Sequence, residues 1–220
     1  MKTNVKTRTL LACGVIGGPL FVATFLVEGA TRANYDPLRH PVSSLALGDS
    51  GWVQGANFIV TGLLTLAFVV GLWCALQPGK GSTLGPLLVG VWAVGLLGAG
   101  VFVTDPVSGY PPGAADRLSG YSWHGALHDL FSGPAFVALA AACFVFGHWF
   151  AGRGERGWAV YSAISGLVFV IAFVLASAGF GQAAGLIDLA GLLQRVAVAV
   201  GFGWLTLLAV HLRRGPSPER

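Results

Sequence analysis

Six apolar runs, each about as long as a lipid bilayer is thick, constrain this chain more than any other feature of its sequence. Charged residues make up only 10% of the 220 residues, and the mean hydropathy is +0.73. A soluble domain of this size could not cover so much apolar surface. The sequence therefore predicts an all-α integral membrane protein with one domain, residues 1–220, folded as a six-helix transmembrane bundle. The helices are expected near residues 10–27, 52–76, 84–104, 125–150, 158–180 and 186–212.

The basic residues predict how this bundle is oriented. Most of them fall at the two termini and in the second and fourth connections between helices, which the positive-inside rule assigns to the cytoplasm. Both termini are therefore predicted to be cytoplasmic. The formal net charge of +4 comes largely from this fringe, so we expect contact with the lipid bilayer and no nucleic-acid partner. The residues concerned are Lys2, Lys6, Arg8, Lys80, Arg153, Arg156, Arg213, Arg214 and Arg220.

The densest polar group on the outer side is His124-x-x-x-His128-Asp129, at the start of the fourth helix. Residues four apart lie roughly 40° apart around a helix, so the two imidazoles share a face and could bind one metal ion. A zinc site needs three or four ligands, and the other ligands would come from neighbouring outer segments. The alternative is that His124 is a solvated helix-start residue and His128 a hydrogen-bonded interior histidine. The candidates for additional ligands are His40, Asp36 and Asp105.

Arg195 is the most costly side chain within the apolar runs, because insertion scales assign about 2.5 to 3.5 kcal/mol to a charge at the centre of a span. We expect Arg195, with Gln194, to face the bundle interior and to pair with an acid. The acids Glu28 and Asp105 sit at helix carboxyl ends, where the helix dipole favours a cationic partner, and Asp129 is a third candidate. Such a pair could be structural or functional.

The polar residues of the outer side and of the bundle interior divide by the role that each side chain could fill. The candidate catalytic residues are Asp105, His124, His128 and Asp129; the candidate substrate-binding residues are Arg195, Gln194, Arg39, Tyr35 and Glu28; and the candidate metal ligands are His124, His128 and His40.

Four segments of the chain resemble a known family. They are Tyr35-Asp-Pro-Leu-Arg-His-Pro-Val-Ser-Ser44, Thr104-Asp105-Pro106, His124-Gly-Ala-Leu-His128-Asp129 and Gln194-Arg195. Together they resemble the bacterial membrane family called domain of unknown function 998, and the resemblance spans nearly the whole chain. It implies a six-helix integral membrane protein, here expected in the cytoplasmic (inner) membrane of a bacterium. It implies no activity.

Two classes of function remain open, and the sequence leaves open whether the protein is an enzyme. The first is a metal-dependent intramembrane hydrolase, with zinc as the expected metal and a lipid-like substrate. The spacing of Asp, His and His-x-x-x-His is similar, over a few positions, to zinc hydrolases of the ceramidase and adiponectin-receptor type, which have seven helices. The alternative is a transporter or binding protein, small-molecule or proton-coupled, that uses the same pocket without chemistry.

Overall fold

The structure is a computed structural model that describes residues 5–76, 80–118 and 120–214, with the backbone alone of residues 80–82. This part of the chain is all-helical, and each of the six long helices is long and apolar enough to span a membrane, as predicted. Lys2, Arg220 and the side chain of Lys80, which helped to predict the orientation, lie outside the described residues. The helices are α1 (Val5–Thr31), α2 (Gly51–Ala75), α3 (Lys80–Val101), α4 (Trp123–Gly152), α5 (Arg156–Phe180) and α6 (Ala190–Arg214).

Several helix boundaries differ from the predicted ones, and two of the differences lie next to the long connections. Helix α3 ends at Val101, three residues earlier than predicted, and histidines of α4 lie within hydrogen-bond distance of the carbonyl oxygens of Phe102 and Val103 just after it. Free carbonyls at a helix end need such partners. The predicted start of the sixth helix is instead a separate 3₁₀ helix, Ile187–Leu189, and α6 begins at Ala190.

The six helices form a closed ring. Each helix packs against its neighbours in sequence, and α6 returns to pack against α1. Because the number of spans is even, both ends of the described chain lie at one end of the bundle, which we call the terminal end. The opposite end, which we call the long-loop end, carries the connections of residues 32–50, 102–122 and 181–189.

The half of the bundle next to the terminal end has a filled core. Phe68, Phe146, Phe150 and Trp204 are fully buried there. The rings of Phe146 and Trp204 meet across the ring of helices, with centroids 5.6 Å apart. The Trp204 indole N–H donates to Ser162 Oγ at 3.1 Å, so its one polar atom is satisfied. Any cavity between the helices must therefore lie towards the long-loop end.

Residues 32–50 close over the long-loop end, and we call this segment the cover. Its 3₁₀ helix, Val42–Ala46, is largely buried, with Ser44 and Leu45 fully so. Helix α6 approaches the cover closely because residue 191 is a glycine. A Cβ atom at Gly191 would lie 2.6 Å from the His40 carbonyl oxygen. The first long connection is thus part of the packed interior and not a solvated loop.

Candidate functional site

A cavity of about 560 Å³ lies beneath the cover, and residues of all six long helices line it. Its polar residues lie mostly next to the long-loop end, together with apolar residues such as Val107, Leu118 and Phe180. The part deeper in the bundle is lined mainly by large apolar side chains. The polar wall includes Asp105, Arg117, Tyr121, His128, Asp129 and Gln194. The apolar wall includes Phe21, Phe58, Trp92, Leu96, Phe136 and Val198.

His128 forms part of the cavity wall and is almost completely buried. Its Nδ1 lies 2.8 Å from the carbonyl oxygen of Phe102. A carbonyl can only accept, so Nδ1 carries a proton and donates it. The Phe58 ring packs edge-on against the imidazole. The geometry agrees with the hydrogen-bonded interior histidine, and it leaves Nε2 as the acceptor of the ring.

Asp105 lies beside the start of α4, not at the end of α3. Its carboxylate accepts the backbone N–H of Ser122 at 2.9 Å and the Ser122 hydroxyl at 2.5 Å. Ser122 is the N-cap of α4, and its Oγ accepts from Gly125 N at 3.0 Å. The expectation that Asp105 needs a cationic partner is wrong. The positive end of the α4 dipole stabilises the carboxylate instead, together with one hydroxyl donor and one amide donor, both from Ser122.

His124 completes this cluster. Its Nδ1 lies 3.0 Å from the Val103 carbonyl oxygen and 2.9 Å from Ser122 Oγ. Asp105, Ser122 and His124 thus lie in a row, but the order is unsuited to a nucleophilic serine. In a catalytic triad the histidine takes the serine proton and the acid holds the histidine. Here the serine hydroxyl donates to the acid, so the arrangement is a helix cap.

Ser122 was not singled out from the sequence, although a serine directly before Trp123 at a helix start is a typical N-cap signal. We predict that Ser122→Ala lowers the free energy of unfolding by about 1 to 2 kcal/mol, because the cap and the hydroxyl bond to Asp105 are lost, while the backbone N–H bond to Asp105 stays. Ser50→Ala is the matched control, since Ser50 caps α2 without a side-chain hydrogen bond. Denaturant unfolding in detergent would measure both. Equal losses would contradict the assignment of Ser122.

Arg195 projects from α6 into the cover and is only 8% exposed. Its guanidinium donates to the Tyr35 hydroxyl, and to the carbonyl oxygens of His40 and Gly191 at 3.0 Å each. The ring of Phe25 lies 5.8 Å from the guanidinium carbon. Three oxygen acceptors and an aromatic face therefore compensate the buried charge.

The expected ion pair between Arg195 and an acid is therefore wrong. Among the described residues, no carboxylate lies within ion-pair distance of Arg195. Glu28 does have a cationic partner, but it is Arg32, one helical turn later, at 2.7 Å. Arg32 also donates to the Leu47 carbonyl oxygen at 3.0 Å. In place of the expected interior ion pair, Arg195 and Arg32 each bind the cover separately.

Other residues predicted to bind substrate also hold the cover. The Tyr35 hydroxyl donates to the Pro41 carbonyl oxygen at 2.8 Å, and burial raises the pKa of Tyr35 to about 12, so the phenol keeps its proton. Gln194 Oε1 accepts from Val42 N at 2.7 Å. Gln194 also lines the cavity, which makes it the one residue of this set that touches both the cover and the cavity.

Arg39 joins three separate connections at the long-loop end. Its guanidinium bonds Asp116 at 2.7 Å, Asp188 at 3.1 Å and the Ser108 carbonyl oxygen at 3.2 Å. Asp116 was not singled out from the sequence, because nothing in its local pattern connects it with a residue 77 positions earlier. Arg39 is therefore a link between loops in this structure and does not line the cavity.

The residues do not form the zinc site that the sequence suggested. His40 Nδ1 accepts from Asp36 N at 2.8 Å, and burial lowers the pKa of His40, so the ring is neutral near pH 7. The ring packs against Tyr35 and Tyr110. Within the described parts of the chain, no three His, Cys, Asp or Glu side chains are grouped to hold a metal ion. The donor set does not fit zinc.

The fold and the cavity define the class: a multi-pass membrane protein with a covered cavity between its helices. The chain belongs to the family described as protein of unknown function (DUF998), whose sequence model matches residues 15–211. This membership confirms the family resemblance of the four sequence segments. Comparisons with curated proteins and with solved structures gave no match.

Proposed function

We propose that the protein binds an amphipathic, lipid-like molecule in the cavity, as a binding protein or transporter. The division of the cavity wall supports this proposal most directly. A volume of about 560 Å³ is within the usual range for sites that hold small molecules. A polar head would lie among Asp105, His128 and Asp129, and an alkyl chain would lie against the aromatic and aliphatic wall below.

Trp92 adds a specific group to the deeper part of the wall. Its side chain is only 2% exposed, and its indole N–H has no hydrogen-bond partner among the described residues. A buried donor without a partner is costly, and tryptophan N–H groups usually find one. A ligand with an ether or carbonyl oxygen partway along its chain would supply that acceptor.

Hydrolysis has less support from the same residues. Asp105 is engaged by Ser122, and the Nδ1 atoms of His124 and His128 are engaged by backbone carbonyl oxygens. The Ser122 hydroxyl donates to Asp105 and not to a histidine base, so these residues do not form an activated serine nucleophile. The described residues also provide no donor set that fits zinc, which a metal-dependent hydrolase would need. Binding or transport needs only the cavity and its polarity.

We also propose that the long-loop end faces away from the cytoplasm in a bacterial inner membrane. The basic residues at the terminal end support this orientation, because Arg153, Arg156, Arg213 and Arg214 all belong to that end. The head group would then lie at the outer leaflet, and the bilayer would be the source of the ligand.

Filling the cavity tests the proposal. Ala99 lines the cavity and is buried, so Ala99→Trp should occupy the apolar part of the site. Ala126 lies on the exposed face of α4 and outside the cavity, so Ala126→Trp is the matched control. We expect Ala99→Trp to weaken binding by at least about tenfold, since most of the apolar contact is lost.

The probes for this experiment share one 12-carbon chain and differ in the head: dodecyltrimethylammonium, dodecyl glucoside and dodecanoate. Native mass spectrometry and a thermal unfolding titration would measure saturable 1:1 binding to wild type and to both variants. Saturable binding of at least one probe, lost in Ala99→Trp and kept in Ala126→Trp, is the expected result. Binding of no probe to wild type, or equal binding to all three proteins, would overturn the proposal.

A further inference from the structure

The cavity wall includes residues of α4 and α5 that also belong to the outside of the bundle. Near the long-loop end, α4 packs against α3, where Gly95 and Gly98 admit the side chains of Ala135 and Phe131. Helix α5 packs against the start of α6 at Gly179. Each of the two helices therefore packs closely against its other neighbour at this level.

Helices α4 and α5 contact each other through the stacked rings of Phe136 and Phe173, whose centroids lie 4.4 Å apart. One turn closer to the long-loop end, Gly133 lines the cavity, and a Cβ atom placed there would meet nothing within 4 Å. Gly133 also falls between Leu130 and Val137 on one helical face, and these two side chains are 64% and 65% exposed. The same glycine thus borders both the cavity and the lipid-facing surface.

Asp129 lies at the edge of this gap. It lines the cavity and is exposed on α4, and Ser177 has the same two properties on α5. A carboxylate within a membrane-spanning helix needs a partner. Among the described residues no Lys or Arg pairs with Asp129, although Tyr121 interacts with it.

The charge of the wall favours a cationic head group. Two carboxylates line the cavity, Asp105 and Asp129. Among the described residues of the wall, Arg117 is the only Lys or Arg, and it donates to the Gly181 carbonyl oxygen at 3.2 Å. Asp105 already accepts two bonds from Ser122. Asp129 is the acid left to pair with a charge brought by the ligand.

We propose that the ligand is a positively charged amphiphile that enters the cavity sideways from the lipid, through the gap between α4 and α5 beside Gly133, with Asp129 binding its head. This inference rests on the proposed function and adds the class of ligand and its route. An amphiphile dissolved in the leaflet would pass between the helices without leaving the membrane, and the cover would not have to open.

The test uses full-length protein in lipid nanodiscs and dodecyltrimethylammonium as the probe. Gly133→Trp should close the gap, and Gly203→Trp is the matched control, since Gly203 is a half-buried helical glycine with open space around it and no place in the cavity wall. We expect Gly133→Trp to slow dissociation of the bound probe by about tenfold relative to Gly203→Trp, because a narrowed route delays exit, whereas a Trp that only filled the cavity would weaken binding without slowing dissociation. Gly133→Leu would serve if the Trp variant is not monodisperse.

The outcomes separate the route from the binding itself. Rates for Gly133→Trp equal to those for Gly203→Trp would overturn the route, and so would weaker binding with an unchanged dissociation rate. Asp129→Asn should weaken binding of dodecyltrimethylammonium by about tenfold while leaving dodecyl glucoside unaffected. Tighter binding of dodecanoate than of dodecyltrimethylammonium by wild type would overturn the cationic class. The proposed function itself is wrong only if no probe binds wild type, or if wild type, Ala99→Trp and Ala126→Trp all bind equally.

Discussion

Arg195→Met is expected to lower the free energy of unfolding by about 3 kcal/mol, because three charge-assisted hydrogen bonds are lost, each worth about 1.5 to 3 kcal/mol, against the saved cost of burying the charge. Methionine has a similar length and suits an apolar environment. The substitution removes the donors to Tyr35 and to the carbonyl oxygen of His40. The cover then loses its main attachment to α6.

The experiment compares three variants by denaturant unfolding and by limited proteolysis within residues 32–50. Arg153→Met is the control, because Arg153 is exposed and pairs with Glu155 at the surface, and such pairs contribute at most about 1 kcal/mol. Tyr35→Phe should lose about 1 kcal/mol, since one hydroxyl leaves the same cluster. Arg195→Met that is as stable and as protease-resistant as Arg153→Met would show that Arg195 does not hold the cover.

Gly98→Ala is expected to have the second large effect, a loss of about 2 to 3 kcal/mol, because an added methyl group overpacks a close helix contact. A Cβ atom at Gly98 would lie 2.5 Å from the Cβ of Phe131, so α3 and α4 must move apart or Phe131 must change its rotamer. The aromatic stack of Phe131 on Phe102 would be disturbed at the same time.

Gly90→Ala is the matched control on the same helix. A Cβ atom there would meet only Val69, at 3.9 Å, which is ordinary contact. Alanine is also the better helix former by about 1 kcal/mol, so Gly90→Ala should be neutral or slightly stabilising. Thermal unfolding of both variants in one detergent measures the difference. A Gly98→Ala variant that unfolds at or above the temperature of Gly90→Ala would contradict the close contact.

The six helices could be predicted because apolar runs of bilayer length leave the backbone no other way to satisfy its hydrogen bonds. The partners of single side chains could not be predicted in the same way. Arg195 was expected to find an acid, but backbone carbonyl oxygens of the cover are its partners. Such acceptors have no sequence signal, because every residue has one. Hydropathy likewise does not say which helices are neighbours across the ring.

The candidate site was partly predictable for a related reason. Asp105, His128 and Asp129 do line one cavity with Gln194, as grouping by loop side had suggested. Whether these residues bind the ligand stays a prediction. His40 and Arg195 instead bond to each other where the cover meets α6, because the 3₁₀ helix of residues 42–46 brings the cover into the bundle. The open space beside Gly133 depends on how α4 packs against α5, which no periodicity in either helix encodes.

The residues that bind the cover are far from it in sequence, and this separation imposes an order on the folding of the chain during synthesis. Residue 39 emerges from the ribosome about 149 residues before Asp188, and Tyr35 about 160 residues before Arg195. Until α6 has been inserted, the first long connection lacks the side chains that bury its polar groups. A nascent chain that stalls after five spans would therefore expose the cover without its contacts to α6. In such a chain the His40 carbonyl oxygen and the Tyr35 hydroxyl would lack their partner Arg195.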